Sequence, residues 1–255
     1  MTKRITDSFT LEENPCWECP TCHQKTLEIV KGEVHQRYDS ISKKIIEYEN
    51  KEFGGDPHPY ALNNGVFTAM LYCVSKTCNE SVACSGTLSF DVDYEEDWAN
   101  NSHEVHVTRF KPKMFVPPLH PFIIPYGCDE LVSDPLLSSF SLLPSNPGSA
   151  ANNLRIAVER FIDVLAVPPH RFLHQRIKML EMSDQKKAHL LMSIKWMGNS
   201  GSHKNASVTA RDVMSGYAVF KRLLDDQYPV TTLDTSEVEA EKLHAKFDAN
   251  YVQKS

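Results

Sequence analysis

The stretch Lys195-Trp-Met-Gly198-Asn199-Ser-Gly201-Ser-His203 predicts a helix around which the second half of the chain is organised. On a regular helix, four apolar or small residues fall on one narrow stripe that we expect to face the core: Leu190, Ile194, Met197 and Gly201. Lys195, Asn199 and His203 are spaced i, i+4, i+8, so we expect their stripe on the opposite side. An ammonium, a carboxamide and an imidazole aligned in this way favour a ligand or a partner over plain solvent.

Further helices are predicted on both sides of this stretch, each with an apolar face. Their start signals are a proline at a first helical position and three capping side chains: Pro135, Ser149, Ser183 and Thr209. Another helix is predicted over residues 172–181. Gly198 and Gly201 are poor helix formers, so we expect either close approach of a neighbouring helix or a helix end. The pattern predicts an antiparallel bundle of four or five helices.

Two groups of cysteines precede this helical part, Cys16-Trp-Glu-Cys19-Pro-Thr-Cys22 and Cys73-Val-Ser-Lys-Thr-Cys78. Two cysteine pairs at tight turns, separated by a hairpin-rich insert, are the layout of a zinc ribbon. The four ligands that fit best are Cys19, Cys22, Cys73 and Cys78, with Cys16 as the alternate in the first pair. Four thiolates leave no open position for water, so we expect the Zn²⁺ to be structural. Free buried thiols are the alternative, and we interpret Cys84 and Cys128 in that way.

Short strands are predicted from partly alternating apolar residues in five runs: 26–31, 33–38, 44–49, 80–94 and 104–110. The run 66–74 predicts either a buried strand or a short helix. We interpret the acidic residues between Asp91 and Asp97 as a solvated loop rather than a cation site. His103 and His106 do not have the spacing of a zinc-protease pair, because on a strand they lie on opposite faces. The proline-rich run 113–125 predicts an extended strap packed across both parts.

These patterns predict an α+β chain with four parts. Residues 1–118 form a β-rich zinc-ribbon-like domain, and residues 119–146 form the proline-rich strap and a short helix. Residues 147–230 form the helical bundle, and residues 231–255 form an acidic tail with helical potential. No signal peptide is evident after the N-terminus, and no apolar run is long enough to span a membrane. We therefore expect a cytoplasmic protein with reduced cysteines.

The net charge of −6 is unevenly distributed along the chain. Residues 1–119 carry 12 basic and 18 acidic side chains, a net charge of −6, and residues 223–255 carry 3 basic and 7 acidic ones, a net charge of −4. Residues 155–222 carry 12 basic and 5 acidic side chains, a net charge of +7. A basic helical segment in an acidic protein is compatible with a polyanionic partner, although a solvated surface balanced by the other segments is the alternative.

The run from about Asn152 to Tyr228 resembles the prokaryotic domain of unknown function 4145, which belongs to the wider HEPN-like group of helical domains. The matching pieces follow the family's order and spacing: Asn153-Leu-Arg155-x-Ala157-x-x-Glu159, Arg176-Ile177-x-x-Leu180, Lys195-x-x-Gly198-Asn199-x-x-x-His203 and Thr209-Ala-x-Asp212. Many HEPN-like domains are RNases or associate with nucleic acid. The resemblance implies a HEPN-like bundle and an accessory role in a prokaryotic defence or restriction system, with a protein of that system as a partner.

Three functions are compatible with these observations. The first is a zinc-binding module that binds or senses RNA or DNA, with phosphate contacts from Lys195, Lys204 and Arg211. The second is a metal-independent RNase acting as a homodimer through the helical bundle. In it His203 would move protons, Lys195 would stabilise the anion and Asn199 would orient the phosphate. The family usually has Arg in place of Lys195. The RNases of the wider HEPN-like group have fewer residues between Arg and His than the seven that separate Lys195 from His203. The third is a scaffold that binds only another protein.

Overall fold

The structure is a computed structural model that describes residues 4–13, 15–53, 64–96, 102–201 and 208–229. An antiparallel sheet in the N-terminal half is followed by helices in the C-terminal half. The predicted mixed α+β class is therefore confirmed. The predicted tail 231–255 lies outside the described residues.

The described residues form five strands and six helices. The strands are β1 (Cys16–Glu18), β2 (Lys25–Tyr38), β3 (Asn64–Cys73), β4 (Ser81–Glu96) and β5 (Ser102–Val116). The helices are α1 (Ser40–Phe53), α2 (Glu130–Leu142), α3 (Pro147–Val164), α4 (Leu173–Glu181), α5 (Gln185–Gly201) and α6 (Ala210–Gln227).

The five strands form one antiparallel sheet in chain order, β1-β2-β3-β4-β5. Successive side chains of a strand point to opposite faces, and β3 shows this alternation clearly. Phe67, Ala69 and Leu71 are buried, whereas the residues between them are exposed or half-buried. Phe9 packs on the buried face, with its ring 5.5 Å from that of Phe110 and 5.6 Å from that of Trp17. The N-terminal segment thus completes the core of the sheet.

One predicted strand is wrong, because residues 44–49 lie in helix α1. The run has only three apolar residues, Ile45, Ile46 and Tyr48. So small a number is compatible with the period of a helix as well as with that of a strand. Asp39, the residue before the helix, favours the helix over the strand. Asp39 accepts a hydrogen bond from the backbone N–H of Ser42 at 2.7 Å, as a helix-capping side chain does. The predicted runs 26–31 and 33–38 are instead parts of the single strand β2, and 66–74 is a strand rather than a helix.

The predicted acidic loop is also wrong for the residues that the structure describes, since β4 continues as far as Glu96. Arg109 on β5 compensates the charge. Its guanidinium donates to Asp91 at 2.6 Å and to Asp93 at 2.8 Å. Hydrogen bonding from Arg109 lowers the pKa of Asp91 below its usual range. Paired in this way, the two carboxylates remain compatible with a strand.

Three predicted helix starts are displaced, and each has the same kind of cause. Helix α2 begins at Glu130 after an Asp129 cap, so Pro135 lies inside it. The cap of α3 is Asn146 rather than Ser149, whose N–H donates to the Asn146 side chain at 3.0 Å. Asp184, not Ser183, accepts from the first turn of α5. In all three places a nearby Asx side chain provides the cap. The capping box of Thr209 and Asp212 is confirmed.

Helix α5 is rotated relative to its predicted orientation. Its fully buried residues are Ala188, Leu191, Ile194 and Gly198, so of the predicted stripe only Ile194 is fully buried, whereas Leu190, Met197 and Gly201 are half-buried at the edge of the core. Lys195 and Asn199 therefore lie beside the buried face and are half-buried, whereas they were expected on the opposite side. Helix α5 lies against α3 at both glycines: a Cβ at Gly198 would lie 2.5 Å from the Cβ of Arg155, and one at Gly201 would lie 2.5 Å from the carbonyl oxygen of Gly148. A residue without a side chain lets the two helices touch, so the expected close approach is confirmed.

Two separate clusters of buried residues form the cores of the sheet and of the helices. The segment after β5 packs against both, as predicted for the strap, although its first residues as far as Val116 belong to the strand. Leu119 is buried in the sheet core and Phe122 in the helical core. Within the described ranges, no helix is both long and apolar enough to cross a membrane.

Candidate metal centre and basic cleft

The turn between β1 and β2 places Cys19 and Cys22 at one corner of the sheet. The backbone N–H of Cys19 donates to the carbonyl of Gln24 at 2.8 Å, and that of His23 donates to the carbonyl of Cys19 at 2.9 Å. His23 has a φ of 57°, in the left-handed region. These contacts make a tight knuckle that turns the two sulfurs toward the same side.

The turn between β3 and β4 forms a second knuckle with the same construction. The N–H of Cys73 donates to the carbonyl of Glu80 at 2.8 Å, and the N–H of Asn79 donates to that of Ser75 at 3.3 Å. Asn79, which follows Cys78 as His23 follows Cys22, has a φ of 54°. Both knuckles lie at the same end of the sheet because β2 pairs with β3.

The two knuckles bring four thiols together: Cys19, Cys22, Cys73 and Cys78. All four sulfurs lie within 4.8 Å of one another, and they can hold a metal ion. The Sγ atoms of Cys19 and Cys78 are 3.7 Å apart, as are those of Cys22 and Cys73. A hydrogen bond from Thr21 to Glu80 connects the two turns beside the cluster. In the part of the chain that the structure describes, this is the only such group of potential ligands.

The four thiols do not ionise alike. Hydrogen bonding from the backbone at Gln24 lowers the pKa of Cys22 to about 7. Burial raises the pKa of Cys78 to about 12 and also raises that of Cys19. Because a thiolate is the form that binds metal, ion binding must release protons from the buried thiols, whereas Cys22 is already partly ionised near neutral pH.

The remaining cysteines lie outside the cluster. Cys16, the alternate ligand, is on β1 and is not among the four convergent sulfurs. Cys84 is buried within β4, and burial raises the pKa of its thiol to about 12. Burial likewise raises the pKa of Cys128 to about 11. Raised pKa values of this kind are typical of unreactive structural thiols.

A second candidate site is a cleft of about 440 Å³ between helices α3, α4 and α5, which we call the basic cleft. Its lining includes three cations, one carboxylate, an imidazole, an amide and an aromatic ring: Arg155, Arg171, Lys195, Glu159, His174, Asn199 and Phe172. Two members of the predicted polar stripe, Lys195 and Asn199, thus lie in a single cleft. They reach it because α5 is rotated toward α3 and α4.

Two cations of the basic cleft, Arg171 and Lys195, form no ion pair with the carboxylates of the described residues, since Glu159 pairs with Arg155. Arg155 forms an ion pair with Glu159, as its i, i+4 spacing predicts. The guanidinium carbon of Arg171 instead lies 5.3 Å from the ring centroid of Phe172. Lys195 makes no hydrogen bond or ion pair to the described residues. The local charge of the cleft is therefore positive.

The N-terminus of α4 adds to this positive charge. Phe172 occupies the N-cap position without a side-chain hydrogen bond to the first turn. The first residues of α4, Leu173 and His174, line the basic cleft. Backbone N–H groups at an uncapped helix start carry partial positive charge and lack intrahelical acceptors. This arrangement favours an anion in the cleft.

The other predicted site residues do not extend the cleft. His203 and Lys204 lie outside the described residues, so the structure gives no position for them. Arg211 is exposed on the first turn of α6 and does not line the basic cleft. No sequence pattern indicated Arg171 as a site residue, and Phe172 was predicted only as the first residue of a helix. The one local signal was a basic and an aromatic residue directly after Pro168-Pro169-His170.

Comparison with known families divides the chain into two parts. Residues 7–115 match the model of a domain of unknown function, DUF8608, and residues 138–249 match that of a domain of unknown function, DUF4145. The predicted resemblance of the helical part to the second family is confirmed. No curated protein and no solved structure matches the chain. The family descriptions name no activity, so function must be argued from the two sites.

Proposed function

We propose that the protein binds nucleic acid through its helical half and is stabilised by a structural zinc ion in its sheet half. In this proposal the two knuckles form a zinc ribbon, and the five helices α2 to α6 form a HEPN-like bundle. The basic cleft holds phosphates of the nucleic-acid backbone. The observation that carries the proposal is the cleft itself, in which three cations, Arg155, Arg171 and Lys195, outnumber the one lining carboxylate, Glu159.

The donor set and its spacing support zinc as the ion. Zinc bound to four cysteines is tetrahedral with Zn–S distances of about 2.3 Å, which places the sulfurs about 3.8 Å apart. The two measured Sγ–Sγ distances are 3.7 Å. Four soft thiolate ligands favour zinc over the hard cations Mg²⁺ and Ca²⁺, which prefer oxygen. With four protein ligands the ion has no position for substrate, so its role is to hold the knuckles together.

The nucleic-acid proposal rests on charge that is concentrated in one segment. Residues 155–222 have a net charge of +7 in a chain of net charge −6. Phosphate neutralisation by lysine and arginine releases condensed counterions, so affinity arises from charge and falls as salt rises. An uncapped helix N-terminus in the same cleft adds backbone donors suited to phosphate oxygens.

Binding of fluorescently labelled oligonucleotides, measured by anisotropy over about 50 to 200 mM salt, tests the proposal. We expect the logarithm of the affinity to fall linearly with the logarithm of the salt concentration. The variants Arg171→Gln and Lys195→Gln should each weaken binding and reduce that slope by about one. Lys111→Gln, an exposed lysine on β5 with the same change in charge, is the matched control. Equal effects of all three variants would contradict the proposed position of the site.

A metal-independent RNase is the second candidate, because Lys195 and Asn199 line the same cleft. An ammonium there would stabilise a phosphorane, and His203 would supply general acid or base catalysis from the segment that follows α5. Incubation of the protein with labelled RNA in the presence of a chelator tests this role. Cleavage that His203→Ala abolishes supports the RNase, and salt-sensitive binding without cleavage supports a binding module.

The remaining features of the proposal rest on the family resemblance. A role as an accessory protein of a prokaryotic defence or restriction system, with a homodimer through the helical bundle, follows from the HEPN-like group. Light scattering at several concentrations measures the oligomeric state. A protein that neither binds nor cleaves nucleic acid would instead be a scaffold.

A further inference from the structure

A second cleft adjoins the basic cleft on the same side of the helical half. Its volume is about 510 Å³, and it lies between α4 and α5. Residues that line it include Lys178, Lys186, His189 and Trp196. His174 lines both clefts, and its Nδ1 atom is 3.4 Å from the sulfur of Met192. The two clefts therefore meet at His174, which contacts α5 at Met192.

Each cleft has one large aromatic side chain at its edge. Phe172 in the basic cleft is 56% exposed, and Trp196 in the neighbouring cleft is 57% exposed. Single exposed apolar residues are ordinary on protein surfaces. Here, however, cations outnumber carboxylates beside both rings. Arg155, Arg171 and Lys195 line the first cleft with Glu159, and Lys178 and Lys186 line the second with Glu181. Exposed rings in clefts with a surplus of cations fit a ligand that is both aromatic and anionic.

Phe172 has two neighbouring side chains beside its exposed ring. Its backbone N–H donates to Nδ1 of His170 at 3.1 Å, and the His170 ring centroid lies 5.9 Å from that of Phe172. The guanidinium of Arg171 lies over the phenyl ring, 5.3 Å from its centroid. An exposed ring with a cation beside it offers a base a stacking surface and its phosphate a counter-charge.

Base stacking on a side chain distinguishes single strands from duplexes. In a double helix the bases are stacked on one another and the protein meets mainly phosphates and groove edges. Unpaired bases expose their faces and stack on aromatic side chains, whereas phosphate contacts are shared by both forms. The exposed rings would gain nothing from a duplex, so their presence among the cations selects for unpaired bases.

We infer that the surface formed by α4 and α5 binds a single-stranded segment of nucleic acid, with bases stacked on Phe172 and Trp196. The phosphates lie against Arg171 and Lys195 in the basic cleft and against Lys178 and Lys186 in the neighbouring one. This inference rests on the proposed nucleic-acid function and specifies its ligand class. The bound nucleic-acid strand passes from one cleft to the other across His174.

Anisotropy titrations with the full chain and three labelled probes test the inference: a (dT) and a (U) oligonucleotide of about 16 nucleotides and a DNA duplex of that length. The wild type should bind both single strands more tightly than the duplex. Phe172→Ala combined with Trp196→Ala should weaken single-strand binding about tenfold or more and change duplex binding little. The pair Phe172→Tyr and Trp196→Phe, which retains both rings, should restore most of the single-strand affinity.

Tyr126→Ala is the matched control, because that ring is fully exposed and lies before α2, away from both clefts. It should leave all three affinities unchanged, and circular dichroism should show that every variant remains folded. Duplex binding as tight as single-strand binding would overturn the inference. So would an equal loss for single strands and duplexes in the double alanine variant. Unchanged affinities in that variant would assign the rings to another partner, such as a protein.

The lysine and arginine variants separate this inference from the proposed function. If the wild type binds none of the three probes, the proposed function fails and the inference fails with it. If binding is salt-dependent and Lys195→Gln weakens it, but the ring substitutions have no effect, only the inference fails. The ratio of single-strand to duplex affinity is therefore the quantity that tests the single-strand inference.

Discussion

At the scale of single residues, the metal centre depends on backbone conformations that few residues tolerate. His23 and Asn79 each follow the second cysteine of a knuckle and each has a positive φ. Asparagine adopts this conformation readily because its short polar side chain bonds locally, whereas histidine does so less often. The two knuckles therefore have equivalent geometry despite different residues at this position. Their four sulfurs converge from two neighbouring turns at the same end of the sheet.

Substitution of a ligand should remove the ion. For Cys22→Ser we expect the zinc content to fall from about one ion per chain toward none, with a lower melting temperature, because structural zinc sites contribute directly to folding. Atomic emission on purified protein measures the zinc. Cys16→Ser is the matched control, since Cys16 lies outside the convergent group. Loss of zinc in the control and not in Cys22→Ser would assign the ligand to Cys16.

A methyl group at Gly198 should destabilise the helical half. The added Cβ would lie 2.5 Å from the Cβ of Arg155 and 2.9 Å from the carbonyl oxygen of Ala151, so α3 and α5 would have to separate. We expect Gly198→Ala to lower the free energy of unfolding by about 1–3 kcal/mol, measured by urea denaturation. At Gly32 an added Cβ meets nothing within 4 Å, so Gly32→Ala should have little effect. Similar losses for both variants would contradict this packing argument.

The two pairs of convergent cysteines could be predicted from the sequence, because the information within each pair is local. Each pair is close in the chain, and a tight turn is enough to bring two sulfurs together. The basic cleft could not be predicted, because it needs side chains from three helices and the rotation of α5. In that orientation Gly198 fits against Arg155, a contact that no periodic pattern contains.

At the scale of helices and strands, the errors come from competing local signals. Helix α1 has Ile41, Ile45 and Tyr48 on one side, and Ile41 and Tyr48 are more than 60% exposed. Because these side chains are so little buried, packing does not reinforce the helical spacing of apolar residues. The run is then equally compatible with a strand. Helix starts were misplaced by one to five residues wherever several polar side chains stood near the start. The apolar face expected for the helix after Thr209 is confirmed in α6, because burial enforces it: Val213, Tyr217, Phe220 and Leu224.

The capping box of α6 should make a contribution to stability that depends on pH. The side chain and backbone of Thr209 donate to Asp212 at 2.7 and 2.8 Å, and this hydrogen bonding lowers the pKa of Asp212 from its usual 3.8. A carboxyl whose pKa is lowered by folding stabilises the protein above its ordinary pKa. That contribution is lost as the pH falls through the folded-state value.

We therefore expect Thr209→Ala to cost about 1 kcal/mol of unfolding free energy at pH 7, as is usual for the loss of an N-cap. The cost should become smaller as the pH falls below 3.8 and through the lower folded-state pKa of Asp212, because the carboxylate is then progressively protonated. Urea denaturation at pH 7 and at pH 3 measures both differences. A difference that stays constant between these pH values would show that the carboxylate contributes nothing.

At the scale of the whole molecule, the sheet and the helices have separate cores. The sheet core depends on strands that the knuckles hold at one end, whereas the helical core contains no part of the metal centre. Because local stability follows local burial and cross-links, the two halves need not unfold together. The sequence indicated this division through the change from period-two to helical patterning and through the proline-rich run between them.

Removal of the metal should therefore affect the halves unequally. With a strong chelator we expect β-structure to be lost, while most of the helical signal near 222 nm in circular dichroism remains and melts in a separate transition. The Cys22→Ser variant should behave like the chelated protein and should not respond to chelator. One cooperative transition that removes sheet and helices together would contradict this independence.

The segment between the two family matches has a practical consequence for dissecting the protein. Residues 116–137 belong to neither match, yet they supply Leu119 to one core and Phe122, Val132 and Leu136 to the other. A fragment cut at the family boundaries would leave a hole in each half and expose apolar surface. Separately expressed halves should instead be divided directly after Leu119, so that each retains the side chains that seal it.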